Sequence, residues 1–423
     1  MKPNDIAIIH YSGPPIVGGV ESTIFFHAKY LVDYGFSVTL IAGRGEKFHQ
    51  KVEFVRIPEV DSRNPDILRV AESLNNQKIP REFYELRDSL REKLLPKIRD
   101  KSAVIVHNVA TLPQNLPLTS ALHLLAQETS TPFILWCHDI AWLDPVYLPR
   151  LHEGYPWDLL RTRWEGVRYV TISKERAAQL SKITGIPEDE ISIIPPGVEP
   201  LRFFRLHSLT EEILTSLNLE KADPLILYPT RIIKRKNIEF AINVVSSLRD
   251  VTPDPHLVIT GPPGPHNPEN LSYLQTLLEL KETMGVGERV HFLYERIEGG
   301  ETTGVPEEIL SDLFRVADLV LFPSLREGFG IPLLEGGLSL VPIFTTHIPS
   351  VSAVGSDLVH LISPDESPHM VALKIASFLE NDRRHRLRKK VMMEFSWERI
   401  IKEKLIPLLK EVFSHERAWT KGE

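Results

Sequence analysis

The sequence predicts an α/β protein built from two successive parallel sheets that are covered by helices. Short apolar runs rich in β-branched residues alternate with longer amphipathic stretches, which is the pattern of parallel strands joined by helices. This alternation begins a second time in the second half of the chain. A chain of 423 residues is too long for one ordinary core, so its length also favours two or three domains, of which we take two.

Seven strands are predicted in the first half of the chain. The first, at 6–11, is followed by a Gly/Pro loop over 12–19 and by apolar residues at helical spacing over 20–34, so strand, loop and helix follow one another. The other six candidates are 37–42, 53–57, 103–107, 133–137, 169–172 and 191–194. Seven strands are enough for a complete doubly wound domain.

A second sheet is predicted in the second half, and a helix at the end of the chain. Its candidate strands are 225–228, 257–260, 290–293, 319–322, 342–345 and 359–361. Two prolines and a glycine at 195–197 end the preceding strand and delay any helix, so the chain should cross between domains up to about residue 209. The final helix is predicted over 397–413, with Ser396 as its N-cap and an incomplete capping box, because Arg399 replaces the usual glutamate.

Composition and charge exclude several classes of protein. With 42% hydrophobic and 25% charged residues, the chain can fold around ordinary cores. A single cysteine, Cys137, excludes an intrachain disulfide and a cysteine-rich zinc site. The net charge of −7 lies in the second half and the first half is neutral, so no nucleic-acid partner is expected. No signal-peptide core and no run of about 18 apolar residues is present, which predicts a cytoplasmic protein without a transmembrane segment.

The loops that follow the strands are where an open α/β sheet binds ligands. Gly18 and Gly19 lie between the first strand and the first helix, where glycines let backbone N–H groups approach an anion, although a tight turn explains the pair equally well. Four cations within six residues follow the strand at 225–228 and suit either a diphosphate or a solvated turn. These cations are Arg231, Lys234, Arg235 and Lys236.

The most specific segment is 323–337, which follows the strand at 319–322 and contains two glutamates eight residues apart, Glu327 and Glu335. The two glutamates flank a Gly-Phe-Gly turn that opens a helix, so the N–H groups of Phe329, Gly330 and Ile331 should be free to meet a ligand. Glu335 alone could simply complement the helix dipole. Surface charge, however, gives no reason for the glycines between the two glutamates.

This segment resembles the E-x7-E signature of retaining GT-B glycosyltransferases of family GT4, and Arg231 with Lys236 resembles the Arg-x4-Lys pair of that family. Weaker likenesses at 18–21, 172–174, 196–198 and 395–397 extend the resemblance over nearly the whole chain. The resemblance implies two Rossmann-like doubly wound domains that face a cleft. An acceptor-binding domain would span 1–200, a nucleotide-sugar-binding domain 201–395, and a C-terminal helix over 396–423 would cross back to the first domain.

The resemblance also implies the residues of a catalytic set. Arg231 and Lys236 would hold the donor diphosphate and stabilise the leaving nucleotide as negative charge builds on it. Glu327 would contact hydroxyls of the transferred sugar. His138, at the end of the strand at 133–137, matches the family's cleft histidine near the sugar. A histidine that is satisfied by a backbone carbonyl is the alternative for His138.

The remaining candidates would bind the two substrates. The donor set comprises Gly18, Gly19, Phe329, Gly330, Ile331 and Glu335, of which Glu335 would bind the ribose hydroxyls. The acceptor set comprises Asn108, Asp139 and Trp142. Trp142 belongs to an aromatic-rich segment around His138 that suits stacking on a sugar, or ordinary core packing.

The chain departs from the family pattern at three places. Thr230 and Asn237 replace the glycines that usually flank the Arg-x4-Lys pair, and the usual short glycine turn is replaced by a longer, proline-rich segment at 261–268. The loop over 295–305 is also extended. Contacts to the base and the leaving group in these two loops are therefore open.

The resemblance implies a reaction without a metal or other cofactor. No Asp-x-Asp pair occurs to hold a divalent cation beside the diphosphate, so cationic side chains would replace the metal. Retention would follow from front-face attack, in which a donor phosphate oxygen accepts the acceptor's proton. Glu327 would then not be a covalent nucleophile of the glycosidase type.

The leading interpretation is a retaining, metal-independent transferase that moves a hexose from a UDP-, GDP- or ADP-sugar to a hydroxyl of a small soluble sugar or glycerate-type acceptor. The alternatives are a lipid or polysaccharide acceptor, other nucleotide-sugar chemistry such as epimerisation, and a non-catalytic nucleotide-sugar-binding protein. The basic run at 383–390 is interpreted as a solvated helix face, so peripheral membrane contact is not expected. Assembly into a homo-oligomer stays open.

Overall fold

The computed structural model describes residues 4–419, with side chains up to residue 414, and divides the chain into two units. The first unit extends to Val198 and resumes at Glu394, and the second is Glu199–Met393. Each unit contains one parallel sheet. None of the described helices is both long enough and apolar enough to cross a bilayer.

The first unit has a seven-stranded sheet in the order β3-β2-β1-β4-β5-β6-β7. Its strands are β1 (Asp5–Ser12), β2 (Ser37–Arg44), β3 (Val52–Arg56), β4 (Ala103–His107), β5 (Phe133–Cys137), β6 (Arg168–Thr171) and β7 (Ile191–Ile193). Its helices before the chain leaves the unit are α1 (Gly19–Asp33), α2 (Pro65–Asn75), α3 (Arg81–Ile98), α4 (Leu116–Glu128) and α5 (Lys174–Thr184). This strand order is that of a doubly wound domain with one further strand.

Burial on both faces explains why these strands are apolar almost throughout. In β1, Ile6 and Ile8 pack into the cluster on one face of the sheet, while Ala7 and Ile9 pack into the cluster on the other. Successive strand residues point to opposite faces, so a sheet that is covered on both sides needs apolar residues at every position.

The second unit has a six-stranded sheet in the order β10-β9-β8-β11-β12-β13. Its strands are β8 (Leu225–Tyr228), β9 (His256–Ile259), β10 (Val290–Phe292), β11 (Leu319–Phe322), β12 (Ile343–Thr346) and β13 (His360–Ile362). Its helices are α6 (Pro200–Phe204), α7 (Ser208–Ser216), α8 (Ile238–Leu248), α9 (Glu269–Thr283), α10 (Gly300–Thr303), α11 (Glu307–Val316), α12 (Pro332–Leu338), α13 (Pro349–Val354), α14 (Pro368–Asn381) and α15 (Arg383–Glu394).

The chain then returns to the first unit. Helix α16 (Trp397–Ile400), one π-helical turn (Ile401–Leu405) and helix α17 (Ile406–Trp419) follow one another without a break. Trp397 is buried in the same cluster as Ile6 and Ile8, and its ring stacks on Phe26 at 5.3 Å between centroids. The end of the chain therefore completes the core of the first unit.

The two crossings between the units lie side by side. Val198 donates its N–H to the carbonyl of Phe395 at 2.8 Å, and Trp397 donates its N–H to the carbonyl of Val198 at 3.0 Å. These bonds form an isolated parallel bridge between Val198 and Ser396. Ser396 is the N-cap residue of α16, as predicted, but its side chain accepts no capping bond, and the backbone bridge fixes the start of the helix instead.

All thirteen predicted strands are present, with ends shifted by at most two residues, which confirms the predicted α/β class with two parallel sheets. The prolines and glycine at 195–197 delay the next helix, as predicted, but only as far as Pro200, where α6 begins within the predicted crossing. Proline is well suited to the first helical position, where its missing N–H has no intrahelical partner to lose.

The interpretation of the basic run as a solvated face is wrong for half of α15. Lys389 Nζ lies 2.6 Å from Oδ2 of the buried Asp318, and His385 lies between Asp318 and Asp223, at 3.5 and 3.2 Å. Arg388 donates to the carbonyl of Val316 at 2.6 Å. Burial opposes protonation of His385, but the two nearby aspartate carboxylates outweigh it and raise its pKa to about 9.

The two aspartates and the histidine of this cluster are close enough together to suggest a metal site. Asp223, Asp318 and His385 are the one group in the described part of the chain whose ligand atoms, all within 4.8 Å of one another, could hold a metal ion. The ammonium group of Lys389 already neutralises Asp318. The cluster is therefore an ion-pair network that fastens α15 to the amino ends of β8 and β11.

Candidate active site

Most of the predicted catalytic residues follow strands at the points where the strand order reverses, which are the ligand sites of doubly wound sheets. In the first unit this point lies between β1 and β4, and Asn108 directly follows β4. In the second unit it lies between β8 and β11, and Lys236 and Glu327 lie in the loops after these two strands.

Glu327 is the centre of the site in the second unit. Its side chain is only 6% exposed, and one carboxylate oxygen accepts a hydrogen bond from Lys236 Nζ while the other accepts one from Arg235 Nη1 at 2.9 Å. Arg235 also donates to the carbonyl of Arg326 at 2.6 Å, and the N–H of Leu325 donates to the carbonyl of Arg235 at 2.9 Å. The loops after β8 and β11 are thereby bound to each other.

The charges of this pair follow from its surroundings. Burial opposes ionisation of Glu327, but hydrogen bonds from Lys236, Ser324 and Arg235 outweigh it and hold the pKa of Glu327 below its usual value. Burial also lowers the pKa of Lys236, with the attraction of Glu327 opposing this and the repulsion of Arg235 adding to it. Glu327 is thus a fixed carboxylate that can accept hydrogen bonds but has no proton to give.

The loop after β8 is shaped by Tyr228 and Asn237. The Tyr228 hydroxyl donates to the carbonyl of Lys236 and shares a hydrogen bond of 3.1 Å with Ser324 Oγ. Asn237 has a φ of 54° and ends the short 3₁₀ helix Lys234–Lys236 directly before α8. Asparagine is one of the few residues that adopt this left-handed conformation readily. Asn237 can therefore adopt the backbone conformation here that would otherwise favour glycine.

The turn between the two motif glutamates needs its glycine and leaves donors open. Gly330 has a φ of +85°, and a Cβ there would lie 3.2 Å from Ser350 Oγ. The N–H groups of Phe329, Gly330 and Ile331 bond to no carbonyl within the described backbone. Three adjacent free N–H groups can bind an anion or the oxygens of a sugar.

Glu335 and Arg231, the remaining motif residues, are in different electrostatic surroundings. Glu335 lies within α12, where burial and the charge of Glu307 raise its pKa, the opposite direction to Glu327. Arg231 is exposed and forms no ion pair with any residue that the structure describes. Its guanidinium group is available to an anionic ligand, and Lys236, which bonds Glu327 through one of its three N–H donors, keeps the others for the same ligand.

In the first unit, His138 lies directly after β5 and is 8% exposed. The N–H groups of His138 and Asp139 both donate to Asn108 Oδ1, at 3.1 and 3.0 Å, and Asn108 Nδ2 donates to Asp139 Oδ2 at 3.0 Å. Asn108 therefore shapes this turn, and one N–H of its amide is left for a ligand. Acceptor binding by Asn108 and by the exposed Asp139 stays a prediction.

The buried histidines of this unit are neutral at pH 7. Burial lowers the pKa of His138 to about 4, with His10 adding to the effect and Asp139 opposing it. Burial, together with the nearby His138, lowers the pKa of His27 to about 3. The alternative for His138, a ring satisfied by a backbone carbonyl, is not what the structure contains, because its Nε2 shares a hydrogen bond of 3.2 Å with His107 Nδ1.

Two other predicted positions are already occupied by protein groups. A Cβ at Gly18 would lie 2.1 Å from Glu21 Oε2, and Glu21 Oε1 accepts a hydrogen bond from Ser12 Oγ at 2.6 Å. The carboxylate of Glu21 thus lies against Gly18, where an anion was expected. Gly19 is exposed and a Cβ there would meet nothing within 4 Å, so anion binding at Gly19 stays a prediction. The ring of Trp142 has the guanidinium carbon of Arg161 at 4.2 Å from its centroid, so one face of the predicted stacking platform is covered.

The sequence interpretation missed the residues that support the motif. In the sequence, Arg235 is only one member of a basic run, and no motif assigns a role to Ser324, Tyr228 or His107. Tyr228 and His107 are the last residues of β8 and β4, and Ser324 follows β11 by two residues; this position at a strand end is the signal that could have found them. Their partners, however, lie on other loops of the sheet and are distant in sequence.

Two family models match the chain. One, described as Glycosyltransferase Family 4, matches residues 17–202, and the other, described as Glycosyl transferases group 1, matches residues 210–392. Together they cover most of the chain, and the second contains the cations after β8 and both motif glutamates.

Curated relatives are similar at low identity. Mannosylglucosylglycerate synthase of Thermotoga maritima is 27% identical over 80% of this chain and 79% of its own length. D-inositol 3-phosphate glycosyltransferase of Nocardia farcinica is 28% identical over 46% of this chain. The chain spans 40% of that relative's length, and 66% of a second mannosylglucosylglycerate synthase, from Petrotoga mobilis, at 24% identity.

Several solved structures are similar to nearly the whole of this chain, but their TM-scores are low. A glycosyltransferase from Rickettsia africae covers 97% of this chain and 99% of its own, with 17% identity and a TM-score of 0.39. Sucrose-phosphate synthase from Thermosynechococcus elongatus covers 97% of this chain and 100% of its own, with 16% identity and a TM-score of 0.37.

Proposed function

The chain belongs to glycosyltransferase family 4, and from this premise we propose that it is a retaining transferase that moves a hexose from a nucleotide-diphosphate sugar to an acceptor hydroxyl. The observation that carries the proposal is the buried Glu327 carboxylate held by Lys236 and Arg235 at the switch point of the second sheet. Free N–H groups lie on the adjoining turn. This combination offers positive charge to a diphosphate and hydrogen-bond acceptors to a sugar.

Each motif residue has a role that its surroundings support. Arg231 and Lys236 stabilise the charge that develops on the leaving diphosphate. Glu327 accepts hydrogen bonds from hydroxyls of the transferred sugar, and because each of its oxygens already binds a cation, it is a poor covalent nucleophile. Glu335 binds the ribose. These cations take the place of a divalent metal in our proposal, and a donor phosphate oxygen accepts the acceptor's proton.

We assign the acceptor to the first unit and propose that it is small and soluble. The neutral charge of the first half of the chain favours this over an anionic lipid surface. The names of two relatives, which refer to a glucosylglycerate and to an inositol phosphate, point the same way. His138 and Asp139 are the side chains we expect nearest to the acceptor, and we place the reaction in the cytoplasm.

The test begins with binding. Thermal melting with UDP, GDP, ADP and their glucose and mannose conjugates, each in EDTA and in magnesium, identifies the donor, because a ligand at about 100 times its Kd adds about 2.7 kcal/mol. We expect one base to raise the melting temperature equally in both conditions. A shift that requires magnesium would overturn the metal-free site, and no shift with any nucleotide would overturn the proposed function.

The test continues with transfer. The donor that binds is incubated with glycerate, glucosylglycerate and inositol phosphate, and the configuration of the product is read by NMR. An axial donor linkage that stays axial in the product supports retention. Product with the inverted configuration would contradict the mechanism while leaving the transferase activity in place.

A further inference from the structure

His138 is one end of a buried chain of imidazoles in the first unit. Its Nε2 lies 3.2 Å from Nδ1 of His107, the last residue of β4, and the carbonyl of His107 lies 2.8 Å from Nδ1 of His10. His107 is completely buried and packs against Trp136 and His27, with ring centroids 5.1 and 5.3 Å apart. One of the two nitrogens that face each other, His107 Nδ1 and His138 Nε2, must carry the proton.

The surroundings of His107 determine which of these two nitrogens carries the proton. Its other nitrogen, Nε2, is buried and has no partner among the described residues. Burying an N–H group without an acceptor costs the full desolvation penalty of that donor, and orphaned N–H groups are rarer in proteins than orphaned acceptors. The neutral imidazole has only one proton. The proton of His107 is therefore most stable on Nδ1, where it can be donated to His138.

The position of the proton on His107 also determines the tautomer of His138. If His138 Nε2 accepts a proton from His107, the single proton of neutral His138 must lie on Nδ1. Nδ1 of His138 has no partner in the described part of the chain and is not among the fully buried unpartnered atoms. It is the atom of this ring that a ligand can reach.

We propose that His107 is a positioning residue that holds His138 in the tautomer protonated on Nδ1, so that His138 presents a neutral N–H donor to an oxygen of the substrate. Only the identity of that oxygen, a sugar hydroxyl, rests on the function proposed above. The tautomer itself is a property of the free protein.

The tautomer can be measured without knowing either substrate. Long-range ¹H–¹⁵N spectra of the protein labelled with ¹⁵N-histidine distinguish a protonated from an unprotonated ring nitrogen, and a His138→Asn variant identifies the His138 signals by their loss. At pH 7 the ring is neutral, because burial lowers its pKa to about 4. We expect a protonated Nδ1 and an unprotonated Nε2. The reverse assignment in the wild-type protein overturns the proposal.

Two variants separate the donor of His107 from its volume. His107→Asn places an amide N–H close to the position of Nδ1 in a smaller side chain, while His107→Phe fills the ring volume without a donor. We expect the proton of His138 to remain on Nδ1 in His107→Asn. In His107→Phe no donor faces Nε2, so the preference of a free neutral imidazole for the Nε2 proton is opposed only by burial, and we expect a measurable fraction of His138 to become protonated on Nε2. A ratio of the two His138 tautomers that is the same in His107→Phe and in the wild type overturns the proposal.

Activity gives the second readout. We expect His107→Phe to lower kcat on the order of 10- to 100-fold with little change in the donor KM, as for other residues that orient a functional group through one hydrogen bond. His107→Asn should restore kcat to within about threefold of the wild type, by the same reasoning. Equal loss in both variants, at unchanged melting temperature, would mean that activity follows ring volume and would overturn the positioning role. If the wild type transfers no sugar, the proposed function fails and the tautomer measurement still decides this inference.

Discussion

Lys236 and Lys234 differ in what they neutralise, although they are two residues apart on the same turn. Lys236 is 12% exposed and holds the buried Glu327, whereas Lys234 is 75% exposed and pairs with Glu239 in the first turn of α8. Position on the turn, and not charge alone, should decide which lysine matters for transfer. The two residues form a matched pair for mutagenesis.

Lys236→Ala should lower kcat by roughly 10²- to 10³-fold, the effect of removing one preorganised group that stabilises developing charge. Lys234→Ala should retain the activity of the wild type. Steady-state kinetics of nucleotide release measures both, and circular dichroism checks the fold. An active Lys236→Ala enzyme would refute our assignment of leaving-group stabilisation.

The neutral buried histidines also predict how stability changes with pH. Burial lowers the pKa of His27 to about 3 and that of His138 to about 4. Below an unfolded pKa of about 6.5 the unfolded chain binds protons that these folded groups do not, so the free energy of unfolding falls as the pH drops. Each such histidine contributes roughly 1.4 kcal/mol per pH unit over this range.

His27→Phe should therefore flatten the loss of stability between pH 6.5 and pH 5. Both ring nitrogens of His27 are buried without a partner within the described residues, so an apolar ring of similar size removes an unfavourable group. Urea denaturation at pH 7, 6 and 5 measures the slope. A slope identical to that of the wild type would show that His27 does not contribute to it.

At the residue scale, sequence predicted the members of the motif and missed their partners. Glu327 and Lys236 could be found because they belong to a spaced pattern, but their direct pairing depends on two loops that are 91 residues apart in the chain. The cover that Glu21 places over Gly18 was missed for a different reason. A pattern of glycines indicates free space, and it does not show which neighbouring side chain fills that space.

Helix α15 carries both buried and exposed positive charges. Lys389 is 13% exposed and neutralises Asp318, whose side chain is 1% exposed, while the next residue, Lys390, is exposed. Breaking a buried ion pair leaves an unpaired charge behind and is strongly destabilising, whereas loss of an exposed charge costs little. Helix α15 is therefore attached to the rest of the second unit by one face only.

Lys389→Met should lower the free energy of unfolding of the second unit by about 3 kcal/mol, and Lys390→Met by less than about 0.5 kcal/mol. The two variants change the same residue type in the same helix, so helix propensity and net charge are matched. Chemical denaturation of the purified proteins measures both. Equal losses would contradict the inward orientation of Lys389.

At the element scale, the strands could be predicted because a sheet covered on both faces requires an unbroken apolar run, which is local information. The orientation of α15 could not be predicted in this way. Asp223 and Asp318, which attract its cations, precede β8 and β11 and only become neighbours once the sheet forms. A run of charges does not reveal the charges it will face.

The whole molecule consists of one continuous unit inserted into a discontinuous one. Trp397 connects the end of the chain to the first unit, since it is 2% exposed, stacks on Phe26 and leaves no room for a Cβ at Gly197, which would lie 2.7 Å from its ring. The sequence predicted two sheets through the repeated alternation of strands and helices. The return of the chain came only from the family resemblance, because one amphipathic helix does not reveal which domain it covers.

Trp397→Ala should destabilise the first unit by roughly 3 to 5 kcal/mol, the cost of truncating a large buried aromatic side chain. The second unit, expressed alone as Glu199–Met393, should melt as it does in the full chain. Calorimetry of the variant and of the isolated unit measures both expectations. Equal destabilisation of both units by Trp397→Ala would contradict a role confined to the first.

The paired crossings at Val198 and Phe395 have a consequence for the order of events on the ribosome. The cluster that holds Ile6 and Ile8 is completed only by Trp397 and the residues after it. The roughly 200 residues of Glu199–Met393 must be translated in between, which takes about 10 to 40 s at 5 to 20 residues per second. During that interval the nascent chain carries an apolar groove without its closing helix, a surface that a chaperone can recognise.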